Sequence, residues 1–414
     1  MKNLFKLIVF SIAIFAASYN TFGQSITTCF LVDGVLQDIN GKPCVNTIVT
    51  AVPFLRIVSD ARSGAMGDVG IAISPDANAM HFNASKLAFA EKEMGVSATY
   101  TPWLRALGLQ DVYLAYLSGY KKINKVQSVG LGIRYFSLGN IAFTDDNGQP
   151  IGQGRPNEFE INFGYARQLT PKFAASISGK FIYSNLAAGQ RVGNVDITPG
   201  TAGAADIAFT YKTPIVMGGS KTNLMVGLAL TNMGTKITYT NSANRDYIPA
   251  NFGLGAAWTF QLDQYNTLTL AADINKLMVP TPVPAADTTK YDVDPHDGIP
   301  DYKQNGVVAS MLSSFGDAPG GGTEELRELN YSIGAEYWYD KQFAVRAGYY
   351  REDRTKGNRR FFTVGLGLKY NIFGLNFSYL VPTTNQRNPL DNTLRFSLLF
   401  DFAAFDEEEV PTEE

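Results

Sequence analysis

From about residue 93 onward, apolar side chains alternate with polar or small ones along the chain. The alternation is plain at Leu394, Phe396 and Leu398, which are separated by Arg395 and Ser397. A period of two residues is typical of β-strands whose two faces meet different surroundings. The pattern predicts fourteen strands, at residues 93–101, 110–120, 127–138, 158–168, 172–185, 203–211, 221–233, 250–262, 266–276, 329–340, 342–352, 359–371, 374–380 and 392–402.

The connections between these strands alternate in length. Every second connection is short, whereas the others are mostly longer, and the segment 277–328 is the longest. Short periplasmic turns opposite longer extracellular loops are typical of outer-membrane barrels, and bacterial barrels have an even number of strands. The sequence therefore predicts an all-β fold: a fourteen-stranded antiparallel transmembrane β-barrel at residues 93–402, with its long extracellular loop at 277–328.

The same register separates charged and aromatic positions. It places aromatic side chains outside, as interfacial girdles require, and ten charged ones inside. Equal numbers of the two signs favour a paired, filled lumen, and a water-filled lumen with solvated charges is the alternative. The inner charges are Arg134, Lys180, Arg346, Lys369, Arg395, Glu160, Asp206, Asp273, Glu336 and Asp401.

The N-terminus has the order of a secretory signal. Two lysines precede an apolar run of 11 residues at 7–17, which is too short for a spanning helix. We expect a signal peptide at residues 1–23. In an exported chain, the only two cysteines, Cys29 and Cys44, are expected to form a disulfide. The acidic residues at 403–414 predict a periplasmic tail.

Composition excludes several functions. Charged residues make up 18% of the chain and the net charge is −3, so a nucleic-acid partner is not expected. Two histidines leave little room for histidine-dependent catalysis or metal sites, and the motifs GxSxG, HExxH and the P-loop are absent from the sequence. We therefore expect neither an enzyme nor a cofactor.

Residues 24–92 are too many for a simple approach to the first strand. Many of them are small, which suits backbone packed closely inside a lumen. We interpret the segment as an N-terminal periplasmic and plug segment. Its candidate plug residues are Arg62, Met66, His81, Phe82 and Asn83.

Two motifs in this segment carry a family resemblance. The run Ala-Arg-Ser-Gly-Ala-Met-Gly at 61–67 is followed by Asn-Ala-Met-His-Phe-Asn-Ala-Ser-Lys-Leu-Ala at 78–88 and then by the predicted barrel. Over residues 51–402 the chain resembles the FadL-related outer-membrane barrels and, within them, the PorV family (also called LptO) of the type IX secretion system.

The resemblance implies a role in the outer membrane. PorV-like proteins associate with the SprA/Sov-type translocon barrel, engage the C-terminal signal domains of exported cargo and pass them to an attachment complex with PorU, PorQ and PorZ. The alternative is a FadL-type transporter of hydrophobic small molecules. FadL transporters typically have Asn-Pro-Ala where this chain has Asn83, Ala84 and Ser85.

Two loops are candidate surfaces for partners. Met311, Leu312 and Phe315 lie in an apolar stretch of the long loop, and loops of this length are usually functional or disordered. We expect them to contact a partner, or to form a self-packed lid over the barrel. Trp103 and Leu104 in the first loop are further candidates for partner contact, with lipid or the plug as alternatives.

An acidic cluster in the long loop is a candidate metal site. Asp292, Asp294, Asp297 and Asp301 surround a glycine turn, and calcium is bound by six to eight oxygens. The spacing departs from that of an EF-hand. A structural calcium ion is therefore one interpretation, and a solvated acidic turn is the other.

Overall fold

The computed structural model of the chain describes residues 30–32, 35–37, 44–105, 108–144, 148–187, 189–192, 195–217, 220–240, 244–282, 299–383 and 392–402. Some predicted features lie outside the described residues and stay predictions. They are the signal peptide at 1–23, Cys29, the aspartates Asp292, Asp294 and Asp297, and the tail at 403–414.

Fourteen antiparallel strands of the described residues form one closed barrel, which confirms the predicted fold. The barrel closes where the last strand pairs with the first, with Phe396 opposite Tyr100. Closure pairs the backbone groups of the first and last strands, which would otherwise be exposed to lipid without hydrogen-bond partners. Numbered β1 to β14 in chain order, the strands are Met94–Pro102, Val112–Asn124, Gln127–Leu138, Asn157–Thr170, Phe173–Asn185, Gly200–Met217, Ser220–Gly234, Asn251–Gln261, Asn266–Leu277, Asn330–Tyr339, Phe343–Arg351, Arg360–Tyr370, Phe373–Pro382 and Leu394–Phe402.

Strand β6 extends further than predicted at the short-turn end of the barrel. It continues to Met217, six residues beyond the predicted end at Tyr211. Its neighbour β5 begins at Phe173, opposite Tyr211, so the extension has one unpaired side. Pro214 has no N–H and is tolerated on such an edge. Pro214 therefore fits in this extension of β6, although proline is rare within β-strands.

Short elements lie in the plug and the loops. No described helix is long and apolar enough to cross a membrane. The helical turns are Pro53–Arg56, Ala61–Gly64, Ala79–Phe82, Ala84–Phe89, Asp301–Gln304, Val307–Ser313 and Gly322–Arg327. Small hairpins pair Phe30–Val32 with Val35–Gln37, Ile141–Thr144 with Pro150–Gly154, and Arg191–Val192 with Val195–Asp196.

The two faces of the wall differ as predicted. Outward-facing Phe163 is 57% exposed, whereas inward-facing Arg346 and Glu336 are 1% and 2% exposed. These two charges lie directly opposite each other on β11 and β10, with 2.7 Å between Arg346 Nε and Glu336 Oε2. Nine of the ten predicted inner charges lie 3.7 Å or less from an opposite charge. Asp273 instead accepts hydrogen bonds from the backbone N–H groups of Gly70 and Ile71. This arrangement is the one that the filled-lumen interpretation requires.

The segment 44–92 runs through the lumen from the long-loop end to the short-turn end. At its start, the Asn46 N–H donates to the Thr355 carbonyl at 2.8 Å, in a long loop. At its end, Lys122 Nζ donates to the Ala90 carbonyl at 2.9 Å, next to a short turn. Residues 44–92 fill the lumen, with their start at the long-loop end and their last residues at the short-turn end.

Candidate functional site

The upper layer of the plug, nearest the long loops, is apolar. The helical turn Pro53–Arg56 holds Phe54 and Leu55, which are 1% and 3% exposed, against the wall. The Phe54 ring stacks on Phe136 with 6.4 Å between ring centroids. Wall and loop side chains complete this seal: Trp103, Val112, Leu114, Phe136, Ile182, Ala202, Ile237, Ile248, Tyr350, Phe361 and Leu380.

Trp103 and Leu104 belong to this seal, so the structure shows the contact with the plug that was one of their expected surroundings, and their contact with a partner stays a prediction. Trp103 is buried and its ring meets Phe136 edge-on, with 5.1 Å between centroids. Leu104 has a φ of 53° and packs against the same cluster. The plug supplies the apolar surface that these side chains cover, and its approach to the first loop is a long-range contact that local sequence does not encode.

Arg134 on β3 connects the wall to two parts of the plug. Its Nη1 donates to the carbonyls of Phe54 and Leu55 at 3.2 Å and 3.1 Å, and its Nη2 donates to His81 Nδ1. Glu160 lies 3.6 Å from the guanidinium. A guanidinium only donates hydrogen bonds, so His81 Nδ1 is the acceptor and His81 helps to hold the plug against the wall.

Arg62 is the main ionic contact between the plug and the wall. Its Nε and Nη2 donate to the two oxygens of Glu336 at 2.9 Å and 2.7 Å. Its Nη1 lies 3.1 Å from Asp76 within the plug. Glu336 also accepts from Arg346, so one buried carboxylate lies between two guanidinium groups. A bidentate, charge-assisted pair of this kind fixes geometry as well as charge.

The plug backbone contacts the wall at positions where both the plug and the wall strands have glycine residues. Gly67 has a φ of 69°, and its N–H donates to Thr363 Oγ1 at 2.7 Å. A Cβ on Gly348 would lie 2.0 Å from the carbonyl carbon of Met66, which is fully buried. Only a wall without a side chain at this point admits the plug.

The remaining predicted plug residues hold the lower half of the segment. Asn83, 1% exposed, donates through Nδ2 to the Ile71 carbonyl and to Thr210 Oγ1, both at 3.0 Å. Phe82 packs on Gly70, where a Cβ would lie 2.2 Å from the ring. Arg62, Met66, His81, Phe82 and Asn83 thus all lie inside the lumen.

Cavities remain in the described part of the lumen. A cavity of about 100 Å³ lies in the middle, and its lining includes Lys180, Asn232, Asp273, Asn275 and Arg359. A larger cavity of about 450 Å³ lies at the short-turn end. A lower apolar cluster joins Met80 and Leu87 of the plug to Ala166 and Ala174 of the wall. The middle of the lumen is therefore polar and filled.

Residues 299–328 of the long loop form a lid over the long-loop end. Lys356 Nζ lies 2.5 Å from Glu324 and 2.9 Å from Glu328, and Lys276 Nζ lies 2.5 Å from Glu328. Burial raises the pKa of Glu324, but Lys356 and the hydrogen bond from Asn46 lower it more, so the result is a pKa below the usual value. The sequence pattern does not predict these anchors, because the partners are far apart along the chain.

A second set of contacts holds the middle of the lid. Tyr247 Oη lies 2.7 Å from the Asn305 carbonyl and 2.7 Å from Ser310 Oγ. Lys303 Nζ lies 2.7 Å from Asp246. The inner side of the helix Val307–Ser313 is thereby fixed to the barrel rim.

The outer side of the same helix is apolar and exposed. Val308 and Leu312, which lie one turn apart on this helix, are 67% and 74% exposed. Phe315, two residues beyond the helix end at Ser313, is 48% exposed. Met311 is half-buried, and Phe315 meets the Phe252 ring edge-on at 5.8 Å. The loop thus has a self-packed inner side and an apolar outer side, so of the two expectations the structure shows the lid.

Two further predictions fall partly within the described residues. Cys44 is disulfide-bonded, and Cys29, the other cysteine of the chain, is outside them. Asp301 begins the helix Asp301–Gln304. Among the described residues, no group of three or more His, Cys, Asp or Glu could hold a metal ion, and the calcium site stays a prediction.

A closed fourteen-strand barrel with an apolar outer wall, short turns at one end and long loops at the other is an outer-membrane β-barrel. Residues 41–284 match the family described as type IX secretion system protein PorV. The match spans more than half of the chain, which therefore belongs to the PorV family and is an outer-membrane component of type IX secretion. No curated protein matches the sequence.

Several solved structures are similar to this chain. The toluene transporter TbuX of Ralstonia pickettii has 12% identity and a TM-score of 0.45, over 84% of this chain and 99% of that one. The toluene transporter TodX of Pseudomonas putida has 12% identity and a TM-score of 0.45, over 86% and 98%. A FadL homologue of Pseudomonas aeruginosa has 11% identity and a TM-score of 0.41, over 87% and 100%.

Proposed function

We propose that this protein acts by binding other proteins and is not an enzyme. Its lid and long loops would meet the SprA/Sov-type translocon barrel and the C-terminal signal domains of cargo, which then pass to the PorU, PorQ and PorZ attachment complex. The observation that carries the proposal is a filled lumen beneath a lid whose outer helix face is apolar. The named partners come from the family; the surface comes from this chain.

The filled lumen argues against the alternative of a transporter for hydrophobic molecules. Such a transporter needs a continuous apolar path, yet buried Arg62, Arg134 and Glu336 cross the lumen of the described barrel. Their hydrogen bonds satisfy groups whose exposure to an apolar ligand would be costly. Passage would require these pairs to separate, because the mid-lumen cavity is only about 100 Å³.

The outer face of the lid has the features of a docking surface. Apolar residues at positions i, i+4 and i+7 of a helix are the anchors with which helices enter hydrophobic grooves. Val308 and Leu312 expose most of their surface, although their helix is held by polar contacts on its other side. A fixed apolar face binds with little loss of conformational freedom.

The test is a tagged purification from native membranes in mild detergent, with mass spectrometry of proteins and lipids that co-purify. We compare wild type with Leu312→Asp and with Ser313→Asp, which places the same charge one residue away on the same exposed helix. We expect a very large barrel and exported proteins with a shared C-terminal domain to accompany wild type and Ser313→Asp, and to be lost from Leu312→Asp.

Two outcomes would contradict the proposal. A solitary barrel with stoichiometric fatty acid would identify a transporter. Equal recovery of partners with both variants would show that the apolar face of the lid is not the docking surface. Lid integrity in each variant is checked by brief proteolysis, because a displaced lid would lose partners indirectly.

A further inference from the structure

The cavity of about 450 Å³ at the short-turn end, the short-turn vestibule, is rich in cationic side chains. Its size is within the range of small binding sites. Its carboxylates are Asp76, Glu91 and Asp401. Its cations are Arg62, Arg346, Lys92, Lys212, Lys341 and Lys369.

Internal ion pairs neutralise only part of this charge. Arg62 lies 3.1 Å from Asp76, and Lys369 lies 2.6 Å from Asp401. Glu336, behind the vestibule wall, serves both Arg62 and Arg346. When Glu336 is counted with the three carboxylates of the lining, the vestibule has six cations and four anions.

The unneutralised cations surround the opening. Among the described residues, Lys92, Lys212 and Lys341 form no ion pair. Lys212 Nζ lies 5.8 Å from the centre of the Phe89 ring, which also lines the vestibule. Arg346 is 1% exposed, and its buried Nη2 has no hydrogen-bond partner. The vestibule thus has donors and positive charge available to an anion.

The short turns around the vestibule add to the same charge. They have more basic than acidic side chains at the water-facing end of the barrel. The basic residues are Lys121, Lys122, Lys125, Arg167 and Lys172, and the acidic ones are Glu93, Asp263 and Asp340. The excess of basic side chains gives this end of the barrel a positive electrostatic potential, which attracts an anionic segment towards the vestibule.

The chain has such a segment at this position. Strand β14 ends at Phe402, next to Asp401, which lines the vestibule. The following residues, 403–414, include six acidic and no basic side chains, together with Phe405 and Val410. Twelve residues can extend to roughly 40 Å, which is ample for a segment that begins at the rim. We propose that residues 403–414 bind in the short-turn vestibule of their own barrel.

Tethering makes the contact feasible even though each ion pair is weak. A short flexible linker gives an effective concentration in the millimolar range, so modest affinity keeps the tail bound. Met225 and Leu399 in the vestibule lining, which are both buried in the barrel, offer an apolar surface to Phe405. Because the ion pairs are close to water, added salt should weaken the contact.

The test is carbodiimide crosslinking of full-length protein in nanodiscs, which joins a carboxylate to a lysine in direct contact. Mass spectrometry maps crosslinks from residues 406–409. We expect the yield to Lys212 and Lys341 to exceed the yield to Lys125 and Lys172 by at least tenfold, and to fall severalfold in 0.5 M NaCl. Single-molecule nanodiscs restrict the reaction to one chain.

A matched pair of variants completes the design. Lys212→Gln/Lys341→Gln and Lys125→Gln/Lys172→Gln each remove two charges from the same end. A fluorescent probe on the variant Val410→Cys should gain mobility severalfold in the first background and stay unchanged in the second. Equal crosslinking to both lysine pairs would overturn the proposal. Equal mobility of the probe in the two double-variant backgrounds would overturn it as well.

Discussion

Replacement of Arg62 by alanine should free the plug while the barrel wall stays intact. The side chain joins the plug to Glu336 by two hydrogen bonds of 2.9 Å and 2.7 Å, and to Asp76 at 3.1 Å. Arg62→Ala removes all of these contacts. Glu336 keeps only its contact with Arg346, and it stays buried at 2% exposure.

The structure sets the size of the effect. Removal of one partner from a buried ion pair costs roughly 3–5 kcal/mol, because the other charge stays buried without compensation. Glu336 retains one guanidinium, so we expect the lower end of this range. About 3 kcal/mol corresponds to roughly a 150-fold larger population of opened plug.

Hydrogen exchange with mass spectrometry measures this population. Amides such as Gly67 N–H, which donates to Thr363 in the wall, should exchange roughly 100-fold faster, while strand amides keep their wild-type rates. The control is Lys369→Ala, which breaks a partly exposed ion pair with Asp401 and should cost at most about 1 kcal/mol. If Arg62→Ala accelerates plug exchange no more than Lys369→Ala does, the plug is not held by its buried ion pairs.

Three further outcomes are expected. Gly348→Ala should loosen the plug by roughly 1–3 kcal/mol, because its Cβ would lie 2.0 Å from the Met66 carbonyl carbon. Gly179→Ala, whose Cβ would have no neighbour within 4 Å, should have no effect on plug exchange. Because the pKa of Glu324 is lowered in the folded protein, its stabilisation is present above about pH 4.5 and is lost as the pH falls through the lowered pKa. Brief pepsin digestion should therefore release the lid more readily at the acidic end of this window. Glu324→Gln should reduce the pH dependence, while Glu325 and Glu328, which pair with Lys276, keep the remainder. Trp103→Ala should destabilise the upper seal by roughly 3–5 kcal/mol, measured by exchange of the plug, and should leave co-purifying partners unchanged.

The barrel could be predicted because its pattern is local. Lipid contacts one face of every strand and the lumen contacts the other, so each strand has the same period-two signal regardless of its neighbours. Glu336 and Arg346, on adjacent strands, fall inside by parity alone and then pair. The extension of β6 beyond Tyr211 lacks this regular alternation, so the predicted strand ends six residues before the observed end at Met217.

The lid and the seal could not be predicted because their contacts are long-range. Lys276 and Glu328 are 52 residues apart, and neither is unusual in its own neighbourhood. The same applies to Trp103, whose aromatic character suits lipid, a partner or the plug equally well. Only the path of the plug decides among these surroundings, and no periodic pattern encodes that path.

The path of the plug also limits how the barrel can work. Its first described residues are held at the long-loop end, where Asn46 contacts Thr355 and the lid residue Glu324, and its last ones continue into β1 at the short-turn end. To leave towards the periplasm, the plug would have to draw residues 44–60 and the disulfide at Cys44 through the lumen. To leave towards the cell exterior, the plug would have to break the pairing of β1 with its neighbours, because it continues directly into that strand. Either movement would cost many contacts, so a channel opened by release of the plug is unfavourable. This favours a barrel that acts through its surface loops over one that conducts molecules through its lumen.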